Sequence, residues 1–387
     1  MDTFCVNPYY LRTIIDNKYS QCCWLPDTAD ITSIQHSLLS GQAHTDCNKC
    51  WLAESAGLTS KRQSDSKILA ELTGQDMGVL QQNAATMPAL SWQIKLGNDC
   101  NLRCKTCHVA DSTQWYAEWN HYHPTKQVRG LNKLRTELAD DVDYDLAQRI
   151  EFLGGEPFLR SAWRPFLQQL LQAGNTDLML TFTTNGTCRP SAEDMTLLKE
   201  FSRVNINISI DGIGNRFEYL RYPAKWNEVD SNITWFQSQG FYVVSCSHTL
   251  SNMTIGYLDE FLPWVLKRFG VGKYSFNVVN APSYFAPHVL PVGVKHSIQQ
   301  RYSKSRMSRL LDPFLRLMEP GCSNYMLGRF AIELLKQDRY RDQCVADFLP
   351  EIVFFDSNRP LRKRASKVQV PLAIPLINKH TESLPTT

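Results

Sequence analysis

The sequence predicts an α/β protein built on a parallel sheet, and two observations carry that expectation. Six short apolar or alternating runs recur between residues 90 and 279, and helix-length segments with apolar residues near helical spacing separate them. Strands are expected at 90–97, 149–154, 178–184, 204–210, 242–250 and 274–279, with helices at 162–173, 192–201, 227–239 and 257–269. Strand-helix repeats imply a parallel sheet, and six of them fit a partial (β/α)6 TIM-like barrel; periodicity alone equally admits an open doubly wound sheet. In either arrangement ligand sites lie at the C-terminal ends of the strands.

Composition bounds the rest. With 387 residues, 43% apolar and 20% charged, the chain is long enough for one large domain with small appendages and is neither disordered nor fibrous. Net charge is +3, and the one dense basic run, 359–367, sits beside prolines near the C-terminus, so a solvated tail rather than a nucleic-acid site is expected. No run approaches the roughly 20 apolar residues that span a bilayer, and the first residues lack the basic and apolar regions of a secretory signal. A cytoplasmic protein with no membrane partner is expected, and its 12 cysteines then point to metal ligation rather than disulfides.

Cys100, Cys104 and Cys107 follow the first strand with the spacing Cx3Cx2C. Three thiolates on one short loop can hold three irons of a 4Fe-4S cube and leave the fourth open to another ligand. A structural zinc site would need a fourth protein ligand, which His108 could supply. Gly154-Gly155-Glu156-Pro157 closes the second strand, Thr184-Asn185-Gly186 the third, and Ser209-Ile210-Asp211-Gly212 the fourth. The two glycines let backbone approach a ligand, and the Glu156 carboxylate can pair with an ammonium group. Asp211-Gly212-Ile213-Gly214 hints at a phosphate loop, but Phe217 stands where the dinucleotide fingerprint needs glycine, so NAD binding is not expected.

Together these motifs resemble the radical S-adenosylmethionine (SAM) superfamily, which places such a triad after the first strand of a partial barrel and a GGEP motif against the SAM amino group. The resemblance implies a 4Fe-4S cluster on Cys100, Cys104 and Cys107, and SAM contacts at Gly154, Gly155, Glu156, Pro157, Asn185, Ser209, Asp211 and Arg221, with 248–252 toward the adenine. It also implies reductive SAM cleavage to a 5′-deoxyadenosyl radical that abstracts a substrate hydrogen, fed by a donor such as flavodoxin or ferredoxin. Position 108, often aromatic in the family, is histidine here.

The first 62 residues hold Cys5, Cys22, Cys23, Cys47 and Cys50, enough for a second metal centre. An aromatic-proline segment ahead of a CxxC pair resembles the auxiliary-cluster module called SPASM, or twitch in its short form, here N-terminal, with the likeness extending through Glu54, Gly57, Ser60 and Arg62. That implies a second iron-sulfur cluster on Cys5, Cys47, Cys50 and one of Cys22 or Cys23; alternate side chains diverge along an extended chain, which leaves one ligand for the pair, taken as Cys22. Structural zinc is the alternative. The expected organisation is a Cys-rich module (1–62), a linker (63–89), the barrel (90–300) and a helical C-terminal extension with a basic, Pro-containing tail (301–387).

The forty residues after Cys107 are rich in aromatics and histidines, among them Trp115, Trp119, His121, Tyr122 and His123, and read either as a substrate lid or as an excursion packed on the barrel. Helical stretches at 297–317 and 328–348 suit closure of the open side. The resemblance implies action on a peptide or protein substrate; modification of a sugar or amino acid, and a non-catalytic iron-sulfur or zinc module, are the alternatives.

Overall fold

A computed structural model describes residues 3–26, 28–130, 132–133, 140–350 and 352. The basic run 359–367 and the rest of the tail lie outside them.

All six predicted strands form, as β3 (Ser91–Lys95), β4 (Arg149–Leu153), β5 (Met179–Thr184), β6 (Arg203–Ser209), β7 (Val243–Leu250) and β8 (Tyr274–Val278). Each pairs in parallel with the next. Two further strands, β1 (Leu11–Ile15) and β2 (Lys18–Ser20), extend the sheet, giving eight strands in the order β2-β1-β3-β4-β5-β6-β7-β8. β1 runs parallel to β3, with Leu11 opposite Ser91, and β2 returns antiparallel to it. The hairpin turns on Asp16 and Asn17, both at positive φ (51° and 62°), as a two-residue turn between twisted strands requires. The N-terminal residues therefore share one sheet with the barrel strands, whose free edges are β2 and β8.

Alternation along the strands sorts the side chains. Ile150, Phe152, Leu180, Phe182, Ile206 and Ile208 are wholly buried against the outer helices Arg164–Gln172, Ala192–Leu198, Trp226–Ser238 and Leu258–Phe269. These helices match the four expected. The stretch 63–89, expected as a linker, is instead helical over Lys61–Thr73 and Met77–Asn83. Ser60 opens the first of these with a reciprocal capping box to Gln63, and Asp76 caps the second. Leu69 and Leu80 pack with Phe4 and Tyr10.

The expected helix at 297–317 is two, Val292–Ser303 and Ser308–Met318, which cover the β8 side: Phe314 meets Phe276 with ring centres 4.8 Å apart. A longer helix, Asn324–Arg341, bonds the loop after β3 through Gln337 and Asp338. Among the described residues no helix is long and apolar enough to cross a membrane.

Candidate cluster and SAM site

The loop after β3 carries the cysteines, and its neighbours come from the ends of β4, β5 and β6. The Asn185 amide lies 3.7 Å from Cys100 Sγ, and an Arg221 guanidinium nitrogen lies 3.9 Å from Cys104 Sγ. Arg221 is itself held by Asp211 at 2.9 Å, and Asp211 also accepts from the Thr249 N–H at 2.7 Å. A hydrogen bond from Cys107, helped by the Arg221 cation, pulls the Cys104 thiol down; the same hydrogen bond, with burial, pushes Cys107 up, and burial pushes Cys100 up to about 12. The Arg221 cation and the Asn185 amide beside the sulfurs suit a cluster ligated by thiolates.

Glu156 caps the short helix Pro157–Arg160 at the end of β4. Its carboxylate accepts from Thr184 Oγ1 (2.6 Å), the Asn185 N–H (2.7 Å) and the Phe158 N–H (3.3 Å). Burial pushes its pKa up to about 7 against those bonds. The adjacent glycines serve a purpose the sequence does not reveal. At Gly155 (φ 57°) a Cβ would stand 2.2 Å from the Asp99 carbonyl, and at Gly154 (φ 84°) 2.2 Å from Lys95 Cγ. Their missing side chains admit the β3 loop itself, and the Glu156 N–H bonds the Asp99 carbonyl at 2.8 Å. The GGEP turn therefore sets the start of the cysteine loop. Ser209 ends β6 beside Ser247 in register, and Pro157 is buried.

Several residues that fix this site carry no local sequence signal. Lys105, inside the cysteine loop, bonds Asp338 of the helix Asn324–Arg341 at 2.6 Å. Asp338 also accepts from the Tyr219 hydroxyl (2.8 Å) and the Val345 N–H (2.7 Å). Arg341, one turn on, pairs with Glu118 at 2.9 Å, both essentially fully buried. Glu118 lies on the helix Trp115–Tyr122, in the aromatic insert. The insert's rings pack inward or on one another: Trp115 lies under Arg341, Trp119 stacks on His123 with centres 3.9 Å apart, and the Tyr122 hydroxyl bonds the Lys336 carbonyl at 2.8 Å. His108 stands edge-on to Trp119.

The N-terminal cysteines gather in one region. Cys5, Cys47 and Cys50 are within electrostatic reach of one another, the thiols of Cys22 and Cys23 touch, and Lys49 sits near Cys22, Cys23 and Cys50. Arg62 ties them to the next helix by a fork onto Glu54 (2.7 and 3.1 Å) and a bond to the Phe4 carbonyl (2.8 Å). Among the described residues no three His, Cys, Asp or Glu side chains converge tightly enough for a single metal ion, and this applies to both cysteine groups. The ligands of a cube, each on a different iron, stand farther apart than those of one ion.

The Radical SAM superfamily model matches residues 94–265. Solved structures similar to the chain include native anSMEcpe with bound AdoMet (15% identity, 55% of this chain and 59% of that chain, TM-score 0.38). Others are Streptococcus suis SuiB bound to S-adenosylmethionine (13%, 86% and 78%, TM-score 0.39) and methylornithine synthase PylB (14%, 74% and 76%, TM-score 0.36). The chain thus spans less than two thirds of the length of anSMEcpe. No curated protein matches it. Residues 94–265, with the cysteine loop at one end of a parallel sheet, thus match the Radical SAM superfamily.

Proposed function

We propose that the protein is a radical SAM enzyme acting on a peptide or protein substrate. Its 4Fe-4S cluster is held by Cys100, Cys104 and Cys107, and SAM is bound with its amino group toward Glu156. The observation that carries this reading is the meeting of Asn185 with Cys100 and of Arg221 with Cys104, side chains from the segments after β5 and β6 converging on one thiolate loop. When bound, the cluster supplies one electron to the SAM sulfonium, and the radical released takes a hydrogen atom from substrate. The chain's own contribution is positional. Asp211 aims Arg221 at Cys104, Asn185 donates toward Cys100, and the buried Glu156 offers the one carboxylate at the β4 end, ready to exchange its bonds from Thr184 and Asn185 for an ammonium.

A second iron-sulfur cluster at Cys5, Cys47, Cys50 and Cys22 or Cys23 belongs to the same proposal, supported by the gathering of these thiols among Lys49, Lys61 and Arg62. A flavodoxin or ferredoxin in the cytoplasm supplies the electron. The test is anaerobic reconstitution with iron and sulfide, reduction with dithionite, and assay of 5′-deoxyadenosine. The native chain should form it and Cys104→Ala should not; product from Cys104→Ala would sink the proposal.

A further inference from the structure

The face of the sheet turned away from the helices is a hydrogen-bonded ladder. Gln93 on β3 donates to Glu151 on β4 at 2.8 Å, and Thr183 on β5 donates to the other Glu151 oxygen at 3.3 Å. Asn207 on β6 donates to Thr183 at 3.4 Å, and Ser245 on β7 donates to Asn207 at 3.2 Å. Five adjacent strands are thus crossed by one chain of polar contacts, whose donors all run toward Glu151. Arg149 adds a further donor to that carboxylate at 3.3 Å. Glu151, Thr183, Asn207 and Ser245 are half-buried, so they form a wall open to an occupant.

The wall's unused buried atoms are two acceptors, on Gln93 and Asn205, and one donor, Arg149 Nε, at its β4 end. Because its amide nitrogen must face the Glu151 carboxylate, Gln93 turns its oxygen away. That oxygen, like Asn205 Oδ1 on β6, is buried and has no hydrogen-bond partner among the described residues. Gln93 is only 7% exposed. Buried acceptors of this kind are satisfied in nearly all native proteins, by water or ligand. An apolar occupant would strand both.

We propose that this face is the substrate wall and that it selects a group rich in neutral hydrogen-bond donors, a hydroxyl or carboxamide, over an apolar one. The inference rests on the radical SAM reading above and narrows its substrate class to the polar side chains of Ser, Thr, Asn or Gln in a peptide; a polyol presents the same chemistry. The wall lies below the strand ends that carry Glu156 and the cysteine loop, on the inner side of the sheet, where a bound group would meet the reactive end of the site.

The experiment uses perdeuterated probes with reconstituted holoenzyme, SAM and dithionite, reading the deuterated fraction of the 5′-deoxyadenosine formed. One probe is a threonine tripeptide, one is glucose, and one is a leucine tripeptide. Each transfer breaks a probe C–D bond and forms a C5′–D bond, and dithionite reduces the probe radical left behind, which is then protonated. Deuterium from the threonine tripeptide or from glucose, at least tenfold above the leucine tripeptide, is expected, and the larger of the two identifies the source. In Thr183→Val/Asn207→Leu, and more weakly in Ser245→Ala, that fraction should fall at least tenfold and about threefold. The fraction is a ratio within one sample, so loss of folded protein does not mimic the effect. Product without deuterium from either polar probe, equal transfer from leucine, or an unchanged fraction in both variants overturns the inference and leaves the radical SAM reading standing. No 5′-deoxyadenosine at all overturns both.

Discussion

Lys105 Nζ lies 2.6 Å from Asp338 Oδ1, and neither side chain reaches solvent to any extent: their exposures are 0% and 6%. The ammonium also sits 4.1 Å from the centre of the Tyr219 ring. Burial pulls the lysine down to about 8 despite the carboxylate beside it. A lysine two positions from Cys107 and adjacent to Cys104 is therefore fastened to the helix Asn324–Arg341.

Breaking that pair is the first prediction. Asp338→Ala leaves an ammonium, a phenol and the Val345 N–H without their acceptor, and removing one partner of a buried pair costs about 3–5 kcal/mol. The urea midpoint should fall accordingly, and Lys105→Met/Asp338→Leu should recover part of the loss. A wild-type midpoint in Asp338→Ala would show that the pair holds nothing together.

Glu156→Gln keeps the shape of the β4 corner while removing its charge. Thr184 can turn its hydroxyl to accept from the new amide, but one backbone N–H, of Phe158 or Asn185, loses its acceptor, so a loss of stability of about 1–3 kcal/mol accompanies the change. Loss of a charge-assisted bond to the SAM ammonium should weaken SAM binding about tenfold, roughly 1.4 kcal/mol, with iron content near normal. Titration of the reconstituted protein with SAM checks this, and an unchanged Kd would remove Glu156 from the SAM site.

Iron analysis separates one cluster from two. The reconstituted protein should carry about eight irons per chain, and Cys47→Ala/Cys50→Ala about four. One zinc with four irons in the native protein would instead mark the N-terminal cysteines as a structural zinc site.

His248 supplies a pH signature. Its Nδ1 meets the Ile210 carbonyl at 3.0 Å, and burial lowers its pKa from 6.5 to about 4. The unfolded chain takes up this proton below pH 6.5 and the folded chain only near pH 4, so the stability due to neutral His248 is lost as pH falls through that window. The full difference is about 3 kcal/mol. Glu156, raised to about 7, acts in the opposite sense over pH 4.5 to 7, so the wild-type profile alone is blunted. The penalty of His248→Asn, measured by urea unfolding, should accordingly be larger at pH 7.5 than at pH 4.5. Equal penalties would rule out a buried neutral imidazole.

The barrel strands and the main motifs were legible because they are local: alternation such as Ile150, Phe152 against Arg149, Glu151 announces a half-buried strand. The same alternation held the polar ladder, in Thr181 and Thr183, Asn205 and Asn207, Ser245 and Ser247, but its apolar half drew attention and its polar half did not. The hairpin of β1 and the edge strand β2 was missed although Asp16-Asn17 between an apolar run and Lys18–Ser20 is a hairpin signal, since cysteine spacing dominated that region. Gly154 and Gly155 were recognisable as close-approach positions, yet what approaches them, Asp99 and Lys95, depends on the pairing of β3 with β4. Asp338, Arg341 and Glu118 had no signal, because their meaning lies in partners far away in the chain.

The separation of Lys105 from Asp338, 233 residues, also has a consequence for biosynthesis. A ribosome delivers the chain N-terminus first at roughly 5–20 residues per second, so the cysteine loop emerges on the order of ten to fifty seconds before its counter-ion exists. Throughout that interval the three thiols stand on an unfastened loop that a cluster donor can reach. Once the helix Asn324–Arg341 docks, Asp338 and Gln337 hold Lys105 and the loop is fastened at both its side chain and its backbone.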